Sequence, residues 1–114
     1  MRAIPKKLLI HDVTAYQEKS TKDWDSKALE ELGGISRVRI EPSSRIVRDK
    51  NNVEVQLAAV LIIDCRNSES YTDTFKEDLI IGFQNDLYKV VSVEPLYDER
   101  RLHHYELGMV RYAG

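Results

Sequence analysis

Residues 53–64 read VEVQLAAVLIID, and this stretch decides the fold class. Val53, Val55 and Leu57 alternate with Glu54 and Gln56, and the chain then turns wholly apolar from Leu57 to Ile63 before stopping at Asp64. Alternation indicates a strand with one wet face, whereas a continuous apolar run carrying β-branched Val60, Ile62 and Ile63 indicates a strand covered on both faces. One stretch carrying both patterns suits a central strand of a small curved sheet, half-exposed at its start and running through the core at its end. The apolar run is far shorter than the roughly 20 residues of a membrane-spanning helix.

Working outward, residues 7–17 (KLLIHDVTAYQ) are rich in β formers and predict a first strand, after a lead-in whose Pro5 disfavours helix at Ile4. Residues 18–25 form a polar loop holding the single tryptophan, Trp24. Residues 26–32 (SKALEEL) have helical propensity and a capping residue in Asp25 or Ser26, yet span only about two turns. They fit a short strand equally well. Gly33-Gly34 punctuates the chain. Residues 35–41 (ISRVRIE) alternate as a strand, with Val38 and Ile40 on one face and Ile35, Arg37, Arg39 and Glu41 on the other. Pro42 ends or bends that strand at an edge.

Residues 45–48 predict a short strand, and Asp49-Lys50-Asn51-Asn52 a turn into the central strand. The polar connection over residues 64–76 is bordered by Tyr71 and Phe75, which can pin it to the body. Residues 79–83 and 87–94 form a hairpin about Gln84-Asn85-Asp86. Pro95 closes its second strand, residues 97–101 make a charged tip, and residues 102–112 form the last strand, with Tyr105, Leu107 and Met109 on one face. About six strands at short spacing, at most one short helix and no repeat predict an all-β, single-domain chain over residues 1–114. A small antiparallel β-barrel is favoured, since so few strands in an open sheet would leave edges unpaired.

With 114 residues, 42% hydrophobic and 32% charged, the chain has the composition of one soluble domain. A net charge of −2 gives no overall footprint for gripping DNA or an anionic membrane. One cysteine, Cys65, excludes an internal disulfide and fits a reducing compartment. The N-terminus lacks the hydrophobic region of a signal peptide, which suggests synthesis in the cytosol.

No motif predicts catalysis, a cofactor or a small-molecule substrate. Gly33-Gly34 lacks the strand–helix context of a phosphate loop. His103 and His104 are adjacent, so a regular strand sends them to opposite faces, and with His11 and Cys65 remote no metal set is expected. Nothing near Cys65 activates a thiol. The candidates that remain are for interaction. Arg37, Arg39, Arg45 and Arg48 flank Pro42 as a basic segment that suits either a phosphate backbone, an acidic partner or plain solvent. Lys50 and Arg66 sit on the neighbouring loops, and Trp24 and Tyr71 are candidate aromatic anchors.

Taken together and in order, LLIHDVTAYQ, Trp24, VRIEPSSRI, AAVLIIDCRNS, FKEDLIIGFQNDLYKVVSV and HHYELGMV resemble the minor capsid proteins encoded in the head–tail connector region of phages and prophages of Gram-positive bacteria. More distantly, the chain is similar to the head-closure, or stopper, proteins of long-tailed phages. The resemblance spans residues 8–110. It implies a non-enzymatic β-barrel that forms a ring of its own copies below the portal and adaptor, helps retain packaged DNA and docks tail proteins. It implies a place in the virion at the head–tail junction, after assembly in the host cytoplasm. The loop it implies for the channel falls on residues 42–52, with residues 64–74 as the other candidate for lumen or subunit contact. The alternative reading is an oligonucleotide-binding barrel using Arg37, Arg39, Tyr16 and Tyr88. A hydrolase built on Cys65 and a histidine is a third.

Overall fold

The computed structural model describes residues 2–19 and 28–113. Within them a 3-10 turn at Lys6–Leu8 precedes nine strands: β1 (His11–Lys19), β2 (Ala28–Pro42), β3 (Ile46–Arg48), β4 (Glu54–Gln56), β5 (Ala59–Asp64), β6 (Glu69–Ser70), β7 (Ile80–Phe83), β8 (Asp86–Tyr97) and β9 (Leu102–Arg111). Six of them run β1-β7-β8-β9-β5-β2 around one antiparallel sheet, and β2 pairs back onto β1. A sheet closed on itself is a barrel. The fold is all-β, as the sequence predicts.

The core is made by the inward positions of this ring: Val13 and Ala15 of β1, Ile35 and Val38 of β2, Leu61 and Ile63 of β5, Ile81 of β7, Val90 of β8, and Leu107 and Met109 of β9. Full burial of such a side chain contributes about 1.5–3 kcal/mol, so the interior is where the stability resides. β5 lies between β2 and β9, with Leu61 opposite both Ile40 and Leu107. It is the central strand that its apolar run indicates.

The structure changes the reading of the opening stretch in one respect. Residues 53–64 are not one strand. The alternating part is β4, which pairs only with β3 in a separate two-stranded ribbon. The chain then breaks at Leu57-Ala58, where the amide of Leu57 turns to the carbonyl of Arg45 (2.8 Å) and that of Ala58 to the carbonyl of Met109 (2.8 Å). Leu57 and Ala58 lie in neither β4 nor β5, so the chain changes sheet at this corner. Leu57 is buried at this corner, beside Gly108.

Of residues 26–32, whose choice between helix and strand the sequence leaves open, 28–32 are strand and 26 and 27 lie outside the described residues. Pairing Ala28, Leu29, Glu30 and Glu31 with Lys19, Glu18, Gln17 and Tyr16 outweighs the weak propensity of a two-turn helix. Gly33-Gly34 is therefore not punctuation but the middle of β2. Gly33 has φ 154°, and the Cβ and Cγ of Tyr71 would lie 2.6 and 2.8 Å from any Cβ placed there. The glycine is the seat of a tyrosine.

Four register shifts interrupt the pairing: one leaves Leu32 as an extra residue of β2 between Ala15/Gly33 and Tyr16/Glu31, and the other three re-aim side chains. Between His11/Val38 and Val13/Ile35, β2 holds one extra residue, and Arg37 there has φ 55°. The bulge flips the alternation, so Ile35, expected beside the arginines, is fully buried with Val38. On β8 the extra residue is Val91, and on β9 it is His103, since Leu96 faces His104 while Tyr97 faces Leu102. Pro95 does not close its strand, because β8 continues to Tyr97 with Pro95 opposite Tyr105. Beyond Val90, whose carbonyl accepts from Asp78 N (2.8 Å) and whose amide donates to Leu79 O (2.9 Å), β8 has no further strand partner on the β7 side among the described residues, and at such an open edge a missing N–H is tolerated.

Candidate functional site

Charge was the first candidate feature, and the structure disperses it. Arg37 faces Glu69 at 3.9 Å, Arg39 meets Glu41 at 2.5 Å, and Arg45 lies 3.8 Å from Glu94 and 3.9 Å from Glu106. Arg48 meets Glu54 at 3.3 Å, and Lys50 bonds Asp78. Each cation of the expected basic segment thus has a carboxylate partner. Pairs as exposed as these contribute about 0–1 kcal/mol, but they cancel the local field that a phosphate backbone would need. Hydrogen bonding and charge from Lys50 hold the Asp78 carboxyl below its ordinary value, and Asp78 raises Lys50 in return.

These pairs also show what residues 42–52 do. With β4 they form the β3–β4 ribbon, tied to the barrel by Arg45 against Glu94 of β8 and Glu106 of β9 and by Lys50 against Asp78, just before β7. The Asp49 side chain caps the ribbon's turn by accepting from the amides of Asn51 (2.9 Å) and Val53 (3.0 Å). Ile46 and Val53 remain exposed on this ribbon.

The other expected surface, residues 64–74, borders a groove of about 680 Å³ lined by Cys65, Tyr71, Asp73, Phe75, Leu102 and Tyr105 among others. Phe75 packs edge-on against Tyr105 at 5.0 Å, and Tyr71 lies over Gly33 while its amide donates to Gly34 O (3.2 Å). Both aromatics pin the connection, as expected, and Tyr71 stays 40% exposed. Arg66 stands apart, beside Asp98, Glu99, Arg100 and Arg101 of the β8–β9 tip. Trp24 lies outside the described residues.

Cys65 is exposed at the groove. Partial burial, then the charge of Asp64, push its thiol above the ordinary cysteine value. Because the thiolate is the nucleophile, a raised value means less of it at any pH below that value. Alkylation of Cys65 at pH 8 is expected to be slower than that of an unstructured peptide thiol, with the gap closing as pH rises. Equal rates at pH 8 would contradict this. The change Cys65→Ser is expected to shift stability by no more than about 0.5 kcal/mol.

The alternative barrel reading meets an obstacle at Tyr88. That residue is 8% exposed, part of the core, with Arg111 over its ring at 5.6 Å. It offers no face on which a base could stack.

The feature that residue-type reasoning misses is a polar cluster at the end of β5. Asp64, 2% exposed, accepts from the amides of Arg66 (3.0 Å) and Asn67 (2.8 Å) through Oδ2 and from that of Ile4 (3.0 Å) through Oδ1. Asn67 returns a bond from Nδ2 to Ile4 O (2.8 Å). His103 and His104, expected on opposite faces, have touching rings: their Nδ1 atoms lie 2.7 Å apart. The β9 bulge at His103 is the reason, since it breaks the alternation between them. His103 Nε2 donates to Arg2 O (2.6 Å), one proton is shared between the two Nδ1 atoms, and His104 Nε2 faces Glu106 at 3.0 Å. The signal was the D-C-R-N-S sequence, an aspartate that ends an apolar strand and bonds forward to the next amides.

No group of three metal-binding side chains occurs among the described residues, nor is any helix there long and apolar enough to cross a membrane. Against known families, residues 5–109 match the minor capsid proteins. The chain belongs to that family. A minor capsid protein is a structural part of the phage virion and contacts other virion proteins. The match covers the barrel from Pro5 to Met109, including the β3–β4 ribbon and the polar cluster. Comparison of this minor capsid protein with curated proteins finds no match.

Proposed function

We propose that the protein is a non-enzymatic subunit of the head–tail connector, a head-closure component whose copies form a ring below portal and adaptor. The observation that carries this reading is the family match over residues 5–109. The charge pairing supports it, because a surface whose cations are matched by carboxylates lets packaged DNA pass without gripping it. The β8 edge beyond Val90 supports it too, since unpaired strand edges gain partners when subunits stand side by side. In this reading the ring retains DNA on one side and docks tail proteins on the other. A role for residues 42–52 in the channel requires the ribbon to lift from its anchors at Asp78 and Glu94/Glu106.

The test is the mass of the pure protein, alone and mixed with its adaptor ring. Entry into a larger complex only when the adaptor is present is the expected result. A chain that ignores adaptor and tails, and whose deletion leaves infectious virions, would end the connector reading. Binding of single-stranded DNA at low salt would move the assignment to the nucleic-acid barrel.

A further inference from the structure

Asp64 and His103 are the buried polar or charged side chains among the described residues, and both are turned to one short piece of main chain. Asp64 takes the amide of Ile4, Asn67 its carbonyl, and His103 the carbonyl of Arg2. Polar side chains buried in an otherwise apolar interior are costly unless satisfied. Here the backbone of residues 2–4 satisfies Asp64 Oδ1 and His103 Nε2, while Arg66, Asn67 and His104 take the remaining atoms. None of the three bonds reads a side chain of Arg2, Ala3 or Ile4. The clamp therefore selects an extended backbone and is indifferent to which chain supplies it.

The connection from this segment to the barrel is lightly held. Pro5 is extended (φ −58°, ψ 138°), and no residue of the 3-10 turn Lys6–Leu8 is buried. The next fixed point is Leu8 O, which accepts from Arg39 Nη1 at 3.1 Å. Residues 5–7 can change course without disturbing the core.

We propose that the clamp of Asp64, Asn67 and His103 is an intersubunit site that takes residues 2–4 of a second copy when copies stand side by side. Bonds made to a neighbour's segment are the same three as those made to the chain's own, so exchange keeps the clamp and gives up only the turn bonds from Leu8 to Pro5 and from Leu9 to Lys6. A segment on a short tether competes at an effective concentration in the millimolar range, which neighbours in a ring match. The inference rests on the reading of the protein as one of several adjacent copies.

The experiment uses the full chain carrying Ala3→Cys together with the native Cys65, prepared separately in light and heavy nitrogen. The two preparations are mixed in equal amounts with the adaptor ring, on which copies stand side by side and neighbouring segments compete with each chain's own. They are then treated with a short bismaleimide and digested. Peptides linking positions 3 and 65 are expected to include light–heavy pairs, approaching about half of the total at full exchange. Asn67→Ala, a change in a surface turn, is expected to lower that mixed share. Linked peptides of one isotope only would overturn the proposal, and so would the absence of any 3–65 link. Copies that associate without mixed pairs overturn the exchange alone. Copies that never join the adaptor overturn it together with the ring.

Discussion

Asp64→Ala is expected to lower stability by about 3 kcal/mol and the melting temperature by roughly 10 °C. The carboxylate accepts three amide protons, from Ile4, Arg66 and Asn67, in a site where the side chain is almost inaccessible. Each amide left without its acceptor costs about 1 kcal/mol or more. Two effects should separate on inspection. Loss of the Arg66 and Asn67 bonds loosens the turn that ends β5, whereas loss of the Ile4 bond frees the N-terminal segment. Hydrogen exchange at the Ile4 amide should rise to the rate of unstructured chain. The isosteric change Asp64→Asn keeps one carbonyl oxygen and should fall between wild type and alanine. An alanine variant melting within about 2 °C of wild type would refute the clamp as a stabilising element.

The second large effect is expected at Gly33. An alanine there must hold φ near 154° and share space with the Cβ and Cγ of Tyr71. Backbone strain of this kind costs about 1–3 kcal/mol and overpacking about 1–3 kcal/mol more, so Gly33→Ala is expected to lose about 3 kcal/mol in denaturant unfolding. Tyr71→Ala removes the collision but not the strain. The double variant should therefore lose less than the sum of the single changes, with a coupling of about 1–2 kcal/mol. Strict additivity would mean that Tyr71 does not sit on Gly33 in solution.

Much of this barrel is legible in the sequence because its strands announce themselves locally. The apolar run before Asp64, the hairpin around Gln84 and the alternation of Leu107 and Met109 are patterns of neighbouring residues, and all three appear where expected. What escaped reading is non-local. Nothing in ISRVRIE reveals that Asp12, from another strand, accepts the amide of Arg37 (3.1 Å) at the bulge that turns Ile35 inward. Gly33-Gly34 looks like a turn until Tyr71, far along the chain, is placed on it. The basic segment was legible as residues but not as charge, since the partners Glu69, Glu94, Glu106 and Asp78 arrive from other elements. The clamp was the least visible, because its ligand is backbone, which carries no residue-specific signal.

The bond from His103 to Arg2 spans 101 residues, and β1 finds β7 only after most of the chain has passed. Such pairings delay folding, placing barrels of this kind in the millisecond-to-second range. On the ribosome, β1 and β2 emerge first but cannot be enclosed until β7, β8 and β9 have followed. The strand carrying His103 is the last of them, so the N-terminal segment stays unclamped for most of synthesis. A nascent subunit would thus present residues 2–4 freely, and fix them only once the barrel behind them is complete.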